Sequence, residues 1–371
     1  MKMEYTTLDK ICENLDSQRK PITSSDRVEG SIPYYGASGV VDYVQDYIFD
    51  ERLLLVSEDG ANLLARSTPI AFSIEGKTWV NNHAHVLRFA DNIKQKYMEL
   101  YLNSISLEPY ITGSAQPKLN QKMLNEIPIP VVDRETMKMV VDAAEQVNQI
   151  ISIRKKELEE LDNLIKARFV ELFGDPLASN KVNYIFTECV EFNPKKLEVK
   201  DLQDVEVSFV PMECVGVDGS FSIKGIGLVS DYYNGYTYFR DGDVLLAKIT
   251  PCFENGKVAI ATDCKNGIGF GTTEFHVSRP LKGITNSVWI KYLLKNDMVH
   301  DLATINMSGS AGQKRIQTPF FNKLKVYVPP IEQQEEFADF VKQVDKSKVA
   351  VQKSLDEAQL LFDCLMQKYF G

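Results

Sequence analysis

This chain repeats itself, and that limits its fold more than any other feature. Gly113-Ser114-Ala115 recurs as Gly309-Ser310-Ala311, 196 residues later. Gly312 is an insertion, after which the offset is 197: Gln116 matches Gln313, Lys118 matches Arg315 and Leu119 matches Ile316. The same frame places Leu158, Ile165, Phe173 and Gly174 on Leu355, Phe362, Phe370 and Gly371. Upstream the offset is 191, with His85-Val86 and Arg88 on His276-Val277 and Arg279, and Tyr101-Leu102 on Tyr292-Leu293. Different loop lengths reconcile the offsets. A repeat of this size is too long for a solenoid and reads as a duplicated domain. The 371 residues agree with that, at roughly 100–200 residues per domain.

Each copy has two parts. The first reads mainly as strand, with short β-favouring runs at residues 48–49, 53–56 and 78–80, and at 244–247 and 257–260 in the second copy. Turn signals separate them, among them Asp59-Gly60, Glu75-Gly76, Asp241-Gly242 and Asn255-Gly256. One helix is expected in each, near residues 95–103 and 287–295. The second part is a long helix. Residues 134–173 contain neither Pro nor Gly, and Gly174-Asp175-Pro176 stops the run. Steps of three and four from Met137 pick out Val140, Ala144, Val147, Ile151, Arg154, Leu158, Leu161, Ile165, Arg168 and Leu172, a heptad seam. Adding 197 gives a second seam from Gln334 through Phe337, Val341, Val344, Lys348, Val351, Leu355, Ala358, Phe362 and Leu365 to Tyr369. Helices of this length span about 60 Å each at 1.5 Å per residue. Each seam needs a partner, and the other seam is the nearest. The expected class is α+β: two pseudo-repeated mixed α/β domains joined by two long, antiparallel coiled-coil helices. The expected boundaries are 1–133 and 176–330 for the domains, and 134–175 and 331–371 for the helices. A plain structural coiled coil and a spacer between the domains both fit the seams. Only the spacer explains why helix and domain were duplicated together.

Composition narrows the function. Hydrophobic residues make up 44% and charged residues 25%, an ordinary globular balance, and no apolar run reaches the length of a membrane span. The start, MKMEYTTLDK, lacks an apolar signal core and points to the cytoplasm. The six cysteines form no C-x-x-C and read as reduced thiols. A net charge of −9 argues against a uniformly basic coat but leaves room for a local basic groove. Neither a [DN]-P-P-[FYW] methyltransferase motif nor a G-x-x-x-x-G-K-[ST] phosphate loop is present. Gly267-x-Gly269-x-Gly271 lacks a strand-to-helix setting and reads as a turn. His83-x-His85 shares a strand face, so a metal pair is geometrically possible. No third ligand lies nearby and only His85 recurs, which favours a structural histidine and no metal. A chain of this size without a legible reaction centre reads as a binding module. An enzyme with an unread site and a nucleic-acid-free scaffold are the competing classes.

Several segments, in order, resemble one family. They are Ile32-Pro33-Tyr34-Tyr35-Gly36-Ala37-Ser38-Gly39, Asp59-Gly60-Ala61-Asn62, and Trp79-Val80-Asn81-Asn82-His83-Ala84-His85-Val86. The Gly-Ser-Ala-Gln segment with its downstream Ile-Pro-Ile-Pro completes the first copy. In the second copy they are Gly271-Thr272-Thr273-Glu274-Phe275-His276-Val277 and Val328-Pro329-Pro330-Ile331-Glu332-Gln333-Gln334. This ordered set, used twice and followed each time by a long helix, resembles the specificity subunit of type I restriction–modification enzymes. The resemblance spans essentially the whole chain. It implies two target-recognition domains, each reading one half of a bipartite, asymmetric site in double-stranded DNA. It implies helices that act as a ruler for the spacer and dock two methyltransferase subunits. Those subunits would bind S-adenosylmethionine and methylate adenine N6. Restriction–translocase subunits would use ATP and Mg. No cofactor is expected on this chain and no catalysis of its own.

The turn at residues 113–120 and its copy at 309–317 are the leading candidates for DNA contact. Small residues let backbone approach a phosphate, while Gln, Lys and Arg reach base edges. Gln116, Lys118, Asn120, Gln313, Lys314 and Arg315 carry this reading. The alternative is a structural turn leading into a short helix, with Thr318-Pro319 as cap and first helical residue. Tyr34 fits DNA contact or packing. Arg66, Lys248 and Lys257 fit phosphate contacts or solvated strand ends. Helix residues 134–174 carry seven basic and eight acidic side chains, which suits protein contacts. Val140, Val147, Leu158, Leu161, Ile165, Val341, Val344, Leu355, Phe362 and Leu365 are the expected docking positions.

Overall fold

The computed structural model describes residues 4–113, 116–178, 180–310 and 312–371. Ser114, Ala115 and Ala311 of the repeated turn lie outside the described residues. The chain divides into two units, Met1–Lys155 with Gln352–Gly371, and Lys156–Val351. Each of the two longest helices therefore contributes a stretch to both units.

The units match strand for strand. In unit 1 an antiparallel sheet runs in the order Glu13–Asn14, Ala84–Arg88, Leu53–Ser57, Ala71–Ile74. In unit 2 the order is Val190–Phe192, Phe275–Pro280, Val244–Ala247, Val258–Ile260. A second sheet in unit 1 runs Gly39–Val44, Glu29–Gly36, Lys77–Val80, Phe49–Asp50, with its middle pair parallel. Its copy runs Gly225–Leu228, Glu206–Val210, Ile268–Gly271, Thr237–Arg240, again with a parallel middle pair. The match extends to a short ribbon joining Tyr5–Thr6 to Ile129–Pro130, and Tyr184–Ile185 to Lys325–Val326.

The central strand Leu53–Ser57 is buried on both faces, which is why it reads as a continuous apolar run. Side chains alternate across a strand. Leu54 and Val56 therefore join the core under the helix Asn92–Ser104, while Leu53 and Leu55 join the core between the two sheets. Val244 and Leu246 against Leu245 repeat this in unit 2. Each such side chain contributes roughly 1.5–3 kcal/mol of transfer free energy. The helix Asn92–Ser104 starts where Asp91 accepts a hydrogen bond from Ile93 N, and Ser287–Leu294 starts where Asn286 accepts one from Trp289 N.

The glycine triplet is not the turn that its spacing suggests. Only Gly267 has a positive φ, +68°; Gly269 and Gly271 lie in the strand Ile268–Gly271. A Cβ on Gly269 would sit 2.1 Å from the Phe239 ring, and one on Gly271 would sit 2.6 Å from Val210 O. Close strand packing, not a phosphate, requires these glycines.

The long helices are Arg134–Phe173 and Ile331–Phe370. Every position of both predicted seams is buried or half-buried. In unit 1, Val147 and Ile151 pack with Ala358, flanked by Leu355 and Phe362. At the far end of that stretch, Phe370 meets Tyr97 and Tyr101 edge-on at 5.1 and 5.5 Å. In unit 2, Ile165, Phe169 and Phe173 share a core with Phe337, Val341 and Val344. Asp162 pairs with Lys348, and Arg168 with Glu336 at 2.8 Å, so residue numbers run in opposite directions and the pairing is antiparallel. Among the described residues no helix is long and apolar enough to cross a membrane.

Candidate nucleic-acid interface

Both candidate turns are hairpins closed by paired backbone bonds. Thr112 and Lys118 exchange bonds of 2.8 Å, and Ser308 and Arg315 exchange bonds of 3.0 and 2.8 Å. Gly113 and Gly309 follow the first strand residue with φ of +83° and +135°. A Cβ on them would meet the carbonyls of Gln116 and Gln313 at 2.5 and 2.7 Å, so the chain can turn there only on glycine. Each hairpin is sewn to the loop after the central strand. Leu119 N donates to Glu58 O at 2.7 Å and Gly60 N to Pro117 O at 3.1 Å. In the copy, Ile316 N donates to Lys248 O at 2.9 Å and Thr250 N to Lys314 O at 3.0 Å.

This geometry sorts the predicted residues. Gln116, Gln313 and Lys314 are exposed, with no side-chain partner among the described residues. Lys118 is exposed but lies 3.1 Å from Glu58. Arg315 is half-buried and held by Glu274 at 2.9 Å, which raises its affinity for its proton and draws the Glu274 carboxyl below the usual range. Lys248 sits at the base of the second turn, half-buried and without a side-chain partner among the described residues. Asn120 accepts a hydrogen bond from Met123 N at 3.0 Å and caps the helix Gln121–Asn125. In the corresponding helix Thr318–Phe321 the N-cap position falls on Gln317, one residue before the expected cap, and its side chain makes no capping bond.

Three other candidates are committed elsewhere. Tyr34 is buried; its hydroxyl accepts from Ile22 N at 3.0 Å, and the Arg27 guanidinium covers its ring at 4.5 Å. Packing accounts for it, and a buried ring offers nothing to a duplex. Arg66 donates to the carbonyls of Asn103 and Ile105 at 2.9 and 2.7 Å, closing the end of a helix. Lys257 donates to Met212 O at 3.2 Å. Of the ten seam positions expected to dock partners, Val147, Leu355 and Phe362 share a cluster between the long helices, Leu161, Ile165, Val341 and Val344 join the unit 2 core, Val140 joins the unit 1 core, and Leu158 and Leu365 are half-buried. The outward apolar residues are different ones: Ile150, Ile153, Leu360 and Leu361 in unit 1, and Leu164, Val170 and Val349 in unit 2. Leu164 and Leu361 occupy the same repeat position, a signal that the seam pattern by itself passes over.

Sequence reasoning also missed the charged cluster beneath the first turn. Arg19 reaches Glu58 at 2.6 Å, and Asp16 lies 2.6 Å from His85 Nδ1. Burial pushes the Asp16 and Glu58 carboxyls up, but the hydrogen bonds from His85 and Arg19 outweigh it, and both end below the usual range. Asp16, Glu58 and His85 offer ligand atoms within 4.8 Å of one another, yet each is held by its neighbours and the Arg19 guanidinium already supplies the positive charge. His83 has its own partner, Asp59, at 2.9 Å, so His83 and His85 do not converge on one point.

The comparisons with known proteins agree with this arrangement. The family model described as type I restriction modification DNA specificity domain matches residues 1–163 and again 187–358, following the repeat. The specificity subunit of the type I restriction enzyme EcoAI of Escherichia coli is 39% identical over 186 residues, covering 48% of this chain and 31% of its own length. A putative type I specificity subunit of Haemophilus influenzae is 26% identical over 348 residues, covering 90% of this chain and 85% of its own. The chain thus matches about a third of the E. coli relative and most of the H. influenzae one. The crystal structure of a type I restriction–modification S subunit from M. genitalium superposes with a TM-score of 0.58 at 13% identity, covering 100% of this chain and 96% of that one. A second structure, from work on complex assembly and conformational transition of the type I system, gives 0.55 at 14%, covering 99% and 97%. With the family model matched twice along one duplicated fold, the chain belongs to the type I restriction–modification DNA specificity subunits.

Proposed function

We propose that this chain reads a split DNA sequence for partner subunits that carry the chemistry, one half-site per unit. One observation supports the reading above others. The same glycine-dependent hairpin recurs in both units with exposed Gln116 and Gln313 in common, and it differs at Pro117 against exposed Lys314 and at exposed Lys118 against half-buried Arg315. Glutamine reads adenine edges and lysine or arginine reads guanine, while the cations also meet phosphates. Two equivalent frames with different side chains imply two different half-sites, and the length of the paired helices sets the gap between them. The outward apolar residues on the long helices then receive two adenine methyltransferase subunits, to which restriction–translocase subunits add. S-adenosylmethionine, ATP and Mg act on those partners. The target adenine must leave the stack to be methylated, and this chain holds the duplex while the partner extracts it.

The test is to co-express the chain with the methyltransferase of its own system and map N6-methyladenine across the host genome by single-molecule sequencing. A split motif with a fixed gap, lost when this chain is omitted, is expected. A stable complex that neither methylates a new motif nor binds duplex would leave only a scaffold role. Methyl transfer by the purified chain alone would overturn the non-catalytic reading.

A further inference from the structure

Beneath each hairpin a histidine from the neighbouring strand holds the turn by one hydrogen bond. His85, on Ala84–Arg88, is buried and places Nε2 2.7 Å from Leu119 O. His276, on Phe275–Pro280, is buried and places Nε2 2.9 Å from Ile316 O. Leu119 and Ile316 directly follow Lys118 and Arg315, the last residues of the two hairpins. A carbonyl only accepts, so Nε2 carries a proton in both.

The other ring nitrogen distinguishes the units. In unit 2 it faces the Asn193 amide at 3.2 Å. Asn193 Oδ1 accepts from Val277 N at 2.9 Å, which leaves Nδ2 to donate to the ring. His276 is therefore neutral, and burial holds its basicity down to about 4 despite the Ile316 bond. It lies between the Phe192 and Phe321 rings, with Glu274 and Lys248 the charged groups that influence it. In unit 1 the same place is taken by Asp16, whose Oδ1 accepts from Val86 N at 2.9 Å and whose Oδ2 is 2.6 Å from His85 Nδ1. Asp16, its carboxyl drawn below the usual range, is the acceptor that faces this nitrogen where unit 2 has an amide. Glu58, 3.9 Å from that ring nitrogen, Arg19 on both carboxylates and Lys118 on Glu58 are the other charged groups around it.

We infer that His85 and His276 are positioning residues for half-site recognition, each fixing its hairpin through Nε2–H, one with a carboxylate and the other with an amide on its far ring nitrogen. The inference rests on the reading of the hairpins as DNA-contacting turns. Exchanging Asp16 for Asn gives unit 1 the amide that unit 2 has at the far ring nitrogen and leaves the peg at Nε2 in place.

The experiment uses the complex of this chain with its methyltransferase subunits and duplexes altered in one half-site at a time. His85→Asn leaves an amide near the place of Nδ1 and removes the peg, whereas His85→Gln can place an amide N–H near Nε2. His85→Asn should lose discrimination at one half-site by about tenfold or more, the worth of a specific base contact. His85→Gln should restore most of it, and discrimination at the other half-site should be unchanged. His276→Asn should do the reverse. Asp16→Asn should keep discrimination at both half-sites. Thermal melting checks that the variants fold, and His85→Gln with Asp16→Asn keeps the test open if His85→Asn does not. Equal loss at both half-sites, or a loss in Asp16→Asn as large as that in His85→Asn, would overturn the inference. A wild-type complex with no half-site preference at all would instead remove the DNA reading itself.

Discussion

Phe337 is the sharpest test of how the long helices are held in unit 2. It is fully buried and meets Phe169 at 5.5 Å, Phe173 at 5.6 Å and Tyr292 at 5.4 Å, all edge to face. Two of these rings lie on the other long helix and the third on the helix Ser287–Leu294. Phe337→Ala removes the ring and leaves a cavity between three elements that are each fixed elsewhere, so collapse is limited. Such truncations cost about 3–5 kcal/mol, and three aromatic pairs at about 0.5–1.5 kcal/mol each place this one at the upper end. At roughly 2–4 °C per kcal/mol for a unit of this size, melting should fall by about 10 °C or more. Val349→Ala, at a residue 71% exposed on the same helix, is the control and should stay within about 0.5 kcal/mol. Urea denaturation followed by circular dichroism gives the difference, and amide exchange shows where it acts. Protection should drop in Ser287–Leu294 and in residues 165–173. A loss below about 1 kcal/mol, or one equal to that of Val349→Ala, would refute the claim that this cluster clamps the helices.

Other expectations follow from single sites. Gln334 is buried and joins Asn286 N, Ile284 O and Pro329 O at 3.0, 2.8 and 2.8 Å, so Gln334→Leu should cost about 2–4 kcal/mol in a urea titration by leaving those groups unpaired; a neutral result would mean that water replaces the amide. His276 is held neutral, so the unfolded chain binds its proton first as pH falls. Stability should decline from the ordinary histidine range down to about 4, by about 1.4 kcal/mol per pH unit within that window, and His276→Gln should flatten the decline in melts across pH. Lys314→Gln should reduce the slope of log affinity against log salt by about 0.9 in the DNA-bound complex, the signature of one lost phosphate contact; an unchanged slope would place Lys314 off the backbone. Inserting four residues between Val147 and Leu158, matched between Val344 and Leu355, should lengthen the gap in the methylated motif and leave both half-sites intact. An unchanged gap would refute the ruler.

The helices were legible because a 3–4 seam is local arithmetic: once the backbone is helical, Val140 and Val147 must share a stripe with Ile165 whatever surrounds them. What that stripe touches is not local: Val147 and Ile165 pack inside the fold, where the seam alone suggests docking. The strands were legible as apolar runs, and the duplicated hairpin as a repeated glycine turn. Tyr34 and Arg66 were not, because exposure depends on what packs from elsewhere: residues 22 and 27 cover Tyr34, and a helix end captures Arg66. The glycine triplet misled for the same reason, since Phe239 presses on Gly269 from a neighbouring strand. Asp16 and Asn193 escaped notice because their offset, 177, lies outside the frames that align the rest. Their equivalence appears only when both are seen to accept from the residue after a strand histidine.

Unit 1 contains the start of the chain and also Gln352–Gly371. On the ribosome its strands emerge early, yet Phe370, which meets Tyr97 and Tyr101, is made only after all of unit 2. Unit 2 is contiguous and has everything it needs before those residues appear. Order of synthesis and order of completion are therefore reversed: the half made first waits, with an aromatic face uncovered, for the half made second to fold and deliver the closing helix. A stalled or prematurely ended message would yield a finished unit 2 attached to an unfinished unit 1, the kind of product that chaperones and proteases recognise by its exposed apolar surface.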